Sequence, residues 1–175
     1  AGVKCVVVER DSVGSHASGF AYGGLSSLGG VGTPGPTYSI ALLGMRLHAE
    51  LSEALPSQTG VDVEFRSRPS LGLAFTEEEV HQLQAGLRWQ QAQPGYSVRW
   101  LEAVEVRSID SRISPLVAGG VLIEGGAEVE PYRFVLALAQ AAESMGTTIR
   151  HGTVTGLKRE GDRVRGVVLE RDEIA

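Results

Sequence analysis

Residues 3 to 8, VKCVVV, form a short apolar run without the regular alternation of a half-buried strand, and the run stops on Glu9 and Arg10. That pattern predicts a strand covered on both faces inside a parallel sheet. The next segment is equally constraining. Residues 11 to 35 are rich in Gly, Ser and Ala, a connection longer than compact domains ordinarily carry unless it wraps a ligand.

The rest of the chain alternates helix and strand signals. Ile40, Leu43, Leu47, Leu51 and Leu55 recur every three or four residues and predict an amphipathic helix from about Pro36 to Ser57, ending near Thr59-Gly60. Strands are expected at VEFR (63 to 66) and LGLAF (71 to 75). Thr76 with Glu79 is a capping-box pair opening a helix that runs to Gln93 and is closed by Pro94-Gly95. A strand at SVRWL and a short helix near 102 to 107 come next. The last third reads as a strand GGVLIE, a helix opened by Pro131 and closed by Gly146, and strands TIRH, TVTGLKR and RVRGVVLE, the last two joined by a Gly161-Asp162 hairpin. This mixture is α/β or α+β.

Composition narrows the partners. The 175 residues are 42% hydrophobic and 21% charged, as expected of a globular chain, and the net charge of −5 with no basic run argues against nucleic acid or an anionic lipid surface. Small molecules or proteins remain. The single cysteine, Cys5, permits no internal disulfide and no cysteine-based metal site, and fits a reducing compartment. No stretch reaches transmembrane length and no signal peptide opens the chain, so the expected setting is cytoplasmic or membrane-peripheral. The ends, Ala1-Gly2 without an initiator Met and RDEIA without a helix cap, read as those of a piece of a longer protein.

Glu9 carries the clearest chemistry. In a dinucleotide-binding βαβ unit, a carboxylate at the carboxyl end of the second strand accepts hydrogen bonds from the adenosine ribose, about 20 residues beyond a Gly-rich phosphate turn. On that reading the first strand and its turn lie upstream of Ala1, and these residues alone bind the cofactor weakly or not at all. Strand and carboxylate by themselves fit a charged strand end at the surface equally well. Gly30, Gly32 and Gly35 in GVGTPG match G-x-G-x-x-G by letter, but no strand precedes them, and Pro34 and Pro36 remove amide donors, so the segment reads as a connection. No nucleophile elbow, phosphate-loop lysine or zinc-binding helix motif is present, and His16, His48, His81 and His151 have no metal spacing. Glu77, Glu78 and Glu79 are read as first-turn residues that answer the helix dipole.

VVVERDSVGSHASGFAYGGL resembles the segment after the first βα unit in the flavin-dependent family that contains D-amino-acid oxidase, glycine oxidase and sarcosine oxidase. GGVLIEGGAEVEPYRFVLALAQAAESMGTTIRHGTVTGLKREGDRVRGVVLE is similar to that family's later strand, acidic-Pro helix and adenine-side strand. The resemblance implies a Rossmann-type FAD-binding domain, incomplete here, with an inserted substrate-domain segment. It implies that Glu9 holds the FAD ribose, with Arg10 near the adenine end. Ala17 and Ser18 would approach the pyrophosphate or ribityl chain, and Gly23, Gly24 and Leu25 would lie against the isoalloxazine ring. Val154 would meet the adenine edge through its backbone. The implied reaction is hydride transfer from the C–H beside an amine or amino-acid nitrogen to flavin N5. Residues 1–35 and 147–175 would belong to the FAD domain, 36–110 to a helical and substrate-domain segment, and 111–146 to a substrate-domain strand and return helix. RSID at 107 to 110 replaces a family Glu-Pro, a mark of divergence, and no substrate residue is assigned. The competing readings are a nicotinamide-dependent dehydrogenase, which shares the ribose carboxylate, and a truncated non-catalytic domain.

Overall fold

The computed structural model describes residues 4–28, 34–170 and 173–174. In chain order the strands and helices are β1 (Val6–Glu9), a 3-10 turn (Ala17–Phe20), β2 (Gly24–Leu25), α1 (Tyr38–Thr59), β3 (Arg66–Ser67) and β4 (Ser70–Ala74). They continue with α2 (Glu77–Gln91), β5 (Ser97–Glu102), α3 (Ala103–Ile109), β6 (Gly119–Glu124), β7 (Ala127–Glu128) and α4 (Pro131–Ser144). β8 (Thr148–His151), β9 (Val154–Glu160), β10 (Arg163–Leu169) and β11 (Glu173–Ile174) complete the order. They divide into two compact units, one of residues 1–22, 51–63 and 130–175, the other of 23–50 and 64–129. The mixed α/β class expected from the sequence is what the chain adopts.

In the first unit β1 pairs in parallel with β8, Val6 opposite Thr148 and Glu9 opposite His151. α4 makes the connection back to β8. Glu130 caps it by accepting from the Arg133 amide at 2.7 Å, Pro131 fills a first-turn position where no amide partner is required, and Gly146 (φ 92) turns the chain beyond its end. Phe134, Ala137 and Ala141 repeat at helical spacing and are its buried face. β9 and β10 form the expected hairpin across Gly161 (φ 57), with β11 added antiparallel to β10. One expectation is corrected. The VKCVVV run is not covered on both faces: Val6 and Val7 keep 48% and 47% of their surface and Cys5 is exposed, because β1 has one strand neighbour among the described residues.

The second unit is built around the antiparallel sheet β4-β6-β5. Its residues alternate faces. Val98, Val121 and Ile123 pack with Leu28, Leu83 and Leu87, the last two one turn apart on α2. On the opposite face Leu101, Leu71, Leu73 and Leu122 pack with Val106 of α3 and Val117. Gly120 lets the strands meet, since a Cβ there would stand 2.7 Å from the Gly72 carbonyl oxygen. The Thr76 hydroxyl accepts from the Glu79 amide at 3.2 Å while the Glu79 carboxylate accepts from the Thr76 amide at 3.1 Å, the capping box read from the sequence.

One boundary moved, and the end of α1 near Thr59 is where it was expected. The strand expected at 63 to 66 begins only at Arg66, because Glu64 sits at φ 53, a left-handed conformation that breaks an extended run. α1 runs through Pro56 to Thr59, so the proline is tolerated in the helix's last turns. Of the GVGTPG segment, residues 30 to 33 lie outside the described residues.

Candidate functional site

The carboxyl end of a parallel strand pair is where open α/β sheets bind ligands, and that is where a concavity of about 350 Å³ lies. Glu9 and Asp11 line it from the end of β1 and the loop beyond. Ile149 and His151 come from β8, and Leu136, Ala139, Gln140 and Glu143 from the exposed side of α4. The spacing of Leu136, Ala139, Gln140 and Glu143, three and four residues apart, puts them on one helix face. An apolar floor with three carboxylates, the Gln140 amide and the His151 imidazole around it suits a neutral, hydroxyl-bearing ligand better than a phosphate.

Glu9 is held in place by the loop. Its Oε1 accepts from the Asp11 amide at 2.8 Å, and its backbone carbonyl accepts from the Gly152 amide at 2.9 Å beyond β8. Asp11 in turn accepts from His16 Nε2 at 2.6 Å and from Arg10 Nε at 3.1 Å. The His16 hydrogen bond and then the Arg10 guanidinium hold the Asp11 carboxyl below the ordinary range. The turn closes tightly because Gly14 takes φ 73 and Gly19 has no side chain: a Cβ on Gly19 would lie 2.4 Å from the Gly14 carbonyl oxygen. Ala17 and Ser18 fall in the 3-10 turn that this contact folds, next to α4.

The residues named from the sequence are thus only partly gathered. Glu9 lines the concavity, whereas Arg10, Ala17, Ser18 and Val154 do not. Val154 opens β9 opposite Leu169 and is 45% exposed. Gly23, Gly24 and Leu25 belong to the second unit, where β2 pairs with β7, Gly24 opposite Glu128.

Sequence reasoning passed over Glu128. Its side chain is 8% exposed and receives Arg66 Nε and, at 2.8 Å, Arg68 Nη1. Burial alone would raise its pKa, but the two guanidinium hydrogen bonds outweigh that and hold it below the ordinary carboxylate value. The one available signal was the pair of arginines two residues apart, Arg66 in β3 and Arg68 just beyond it. Their partner lies some 60 residues later, and no local pattern points to it.

Among the described residues no group of His, Cys, Asp and Glu could hold a metal, and no helix is long and apolar enough to cross a membrane. The family described as DAO, FAD dependent oxidoreductase, matches residues 1–175. Glycine oxidase of Geobacillus kaustophilus (strain HTA426) is 30% identical over 147 residues, 83% of this chain and 39% of that protein. Glycine oxidase of Bacillus licheniformis is 29% identical over 167 residues, 94% of this chain and 43% of that protein. The crystal structure of glycine oxidase from Geobacillus kaustophilus superimposes with a TM-score of 0.88 at 27% identity, covering 97% of this chain and 46% of that one. The chain therefore spans less than half the length of these relatives.

Proposed function

The chain belongs to the FAD dependent oxidoreductase family, and on that premise we propose that the protein containing it oxidises an amine or amino acid, with Glu9 holding the adenosine ribose of FAD. The observation that carries this reading is the placement of Glu9: at the carboxyl end of a parallel strand, lining a concavity of about 350 Å³.

The residues there fit the group. The volume lies within the range of small-molecule sites. Leu136 and Ala139 offer an apolar wall, Gln140 and His151 offer polar edges, and the amide of Asp11 fixes one oxygen of Glu9 so that the carboxylate is oriented before any ligand arrives. Asp11 and Glu143 add negative charge to the rim, which disfavours a ribose bearing a 2′-phosphate. The Gly14–Gly19 contact draws the loop in and presents small residues, Ala17 and Ser18, where backbone could approach a diphosphate or ribityl chain. Arg10 at the adenine end, Val154 at the adenine edge, and Gly23, Gly24 and Leu25 against the flavin ring complete the assignment. Their roles rest on the family resemblance. FAD, when bound, supplies the acceptor at N5 for the hydride from the C–H beside the substrate nitrogen. The work of this chain is to bind and orient.

The named relatives are glycine oxidases, which makes glycine, sarcosine and D-alanine the first substrates to try. The test is purification of the full-length protein. It should carry flavin absorbance that small amines bleach without oxygen. A colourless protein that gains no flavin spectrum on adding FAD overturns the proposal.

A further inference from the structure

Residues 23 to 28 are fastened from several sides within the second unit, each anchor reaching them from far along the sequence. The Gly23 carbonyl accepts from the Val129 amide at 3.1 Å, and β2 pairs with β7, Gly24 opposite Glu128 and Leu25 opposite Ala127. Beyond β2 the anchors are side chains. Tyr96 Oη accepts from the Ser27 amide at 3.3 Å and shares a 2.7 Å hydrogen bond with the Ser27 hydroxyl, and Gln90 Nε2 donates to the Leu28 carbonyl at 3.2 Å. Ser27 and Leu28 are buried, whereas Gly24 is exposed.

A serine with no accessible surface costs free energy unless its polar atoms are met. Tyr96 meets both the amide and the hydroxyl of Ser27, and its own ring is seated for the purpose: Gly125 sits at φ 102, where a Cβ would stand 3.0 Å from the ring's Cδ1. Tyr38 gives the contrast. It packs against the same Leu28, Val98 and Val121 cluster, yet its hydroxyl is buried without a hydrogen-bond partner among the described residues. Two phenols in one core thus differ in that Tyr96 is tethered to the segment through its hydroxyl and Tyr38 is not. The tether fixes the residues just after β2 and leaves Gly24 open, which holds backbone ready for a ligand instead of burying it.

We propose that Tyr96 is a positioning residue: acting through Ser27, and helped by Gln90 at Leu28, it holds the backbone of Gly23, Gly24 and Leu25 in place against the isoalloxazine ring. This rests on the reading of those three residues as the ones that face the flavin. Backbone dipoles stabilise the charge that builds on a reduced flavin best when they are fixed beforehand. A loosened segment should therefore make the bound flavin harder to reduce.

The test compares Tyr96→Phe, Ser27→Ala and Tyr38→Phe in the full-length protein, by hydrogen exchange over residues 24 to 28 and by the midpoint reduction potential of the bound flavin. Tyr96→Phe and Ser27→Ala should each speed exchange across the segment and lower the potential by about 30 mV, tenfold in a two-electron equilibrium. The double variant should do no more than either alone, because both remove the same tether. Tyr38→Phe should leave both readings unchanged. Unchanged exchange in Tyr96→Phe overturns the tether, and faster exchange with an unmoved potential overturns its role at the flavin. Equal shifts from Tyr38→Phe overturn the proposal as well, since any change in that core would then suffice. If Tyr96→Phe does not fold, Ser27→Ala decides by the same two readings. A colourless protein fails the FAD reading and this proposal with it, whereas a yellow protein with an unmoved potential fails the proposal alone.

Discussion

In the second unit a three-stranded sheet has Leu101, Val106 and Val117 packed on one face and Leu28, Val98 and Val121 on the other, all of them buried. In the first unit the parallel pair β1–β8 leaves Val6 and Val7 about half exposed, and β9 presents Val154 and Leu157 largely to solvent. The second unit is a scaffold whose stability resides in its own core. The first keeps its best-buried residues on α1, α4 and the chain nearby, at Leu55, Val63, Phe134 and Ala137, and leaves the strand that carries Glu9 loosely covered. Regions with few buried apolar contacts open most readily, and a ligand that binds only the closed form stabilises them by mass action. The cofactor should therefore tighten the first unit far more than the second. Hydrogen exchange of the full-length protein with and without FAD reads this directly: protection should rise at Val6–Glu9 and Thr148–His151 and stay nearly constant across β4-β6-β5.

The sharpest way to break the contrast is to empty the second core. Leu101→Ala removes a side chain with no exposed surface and should lower stability by about 2–5 kcal/mol in urea unfolding of the second unit. A loss below about 1 kcal/mol would mean that the core is not what holds this unit. Glu9→Gln should do the reverse, leaving unfolding of the apoprotein nearly unchanged and weakening FAD binding by roughly 10- to 100-fold, the worth of a hydrogen bond to a charged group. If FAD binds the variant as tightly as the parent, Glu9 is a surface strand end and no more. Gly120→Ala, which drives a methyl group against the Gly72 carbonyl oxygen, should cost about 1–3 kcal/mol by overpacking, again confined to the second unit. Thr76→Ala loses one cap of α2, about 1 kcal/mol.

The smallest effect is a pH dependence. The native Glu128 carboxyl lies below its ordinary value of 4.5, so its stabilising contribution is complete above that value and disappears as the pH falls through the depressed native one. Urea midpoints of the second unit measured from neutral pH downward should start to fall only below 4.5. A midpoint that rises on acidification would show that the carboxylate is a burden in the fold.

Much of the architecture was legible because it is written locally. Thr76 with Glu79, Pro131 and Gly146, and the Gly161 hairpin each act within a few residues, and each marks the boundary it was expected to mark. Glu9 was legible for the same reason, as the charged end of an apolar run. What escaped depends on distant pairing or on backbone choices that composition does not reveal. The coverage of VKCVVV is decided by how many strands and helices flank β1, and Glu64 leaves the extended region without any glycine to announce it. The row of Gly24, Glu128 and Arg66 exists only through the register of three strands far apart in sequence. A pattern search over neighbours in the chain has no access to such a row.

Both tryptophans of the chain, Trp89 and Trp100, pack against the Leu28, Val98 and Val121 cluster, and Trp89 meets the Tyr38 ring edge-on at 5.1 Å. Indole emission from these residues is thus a probe of the second unit alone. A melting curve followed by that emission would look like a single cooperative step even if the β1–β8 pair had come apart long before.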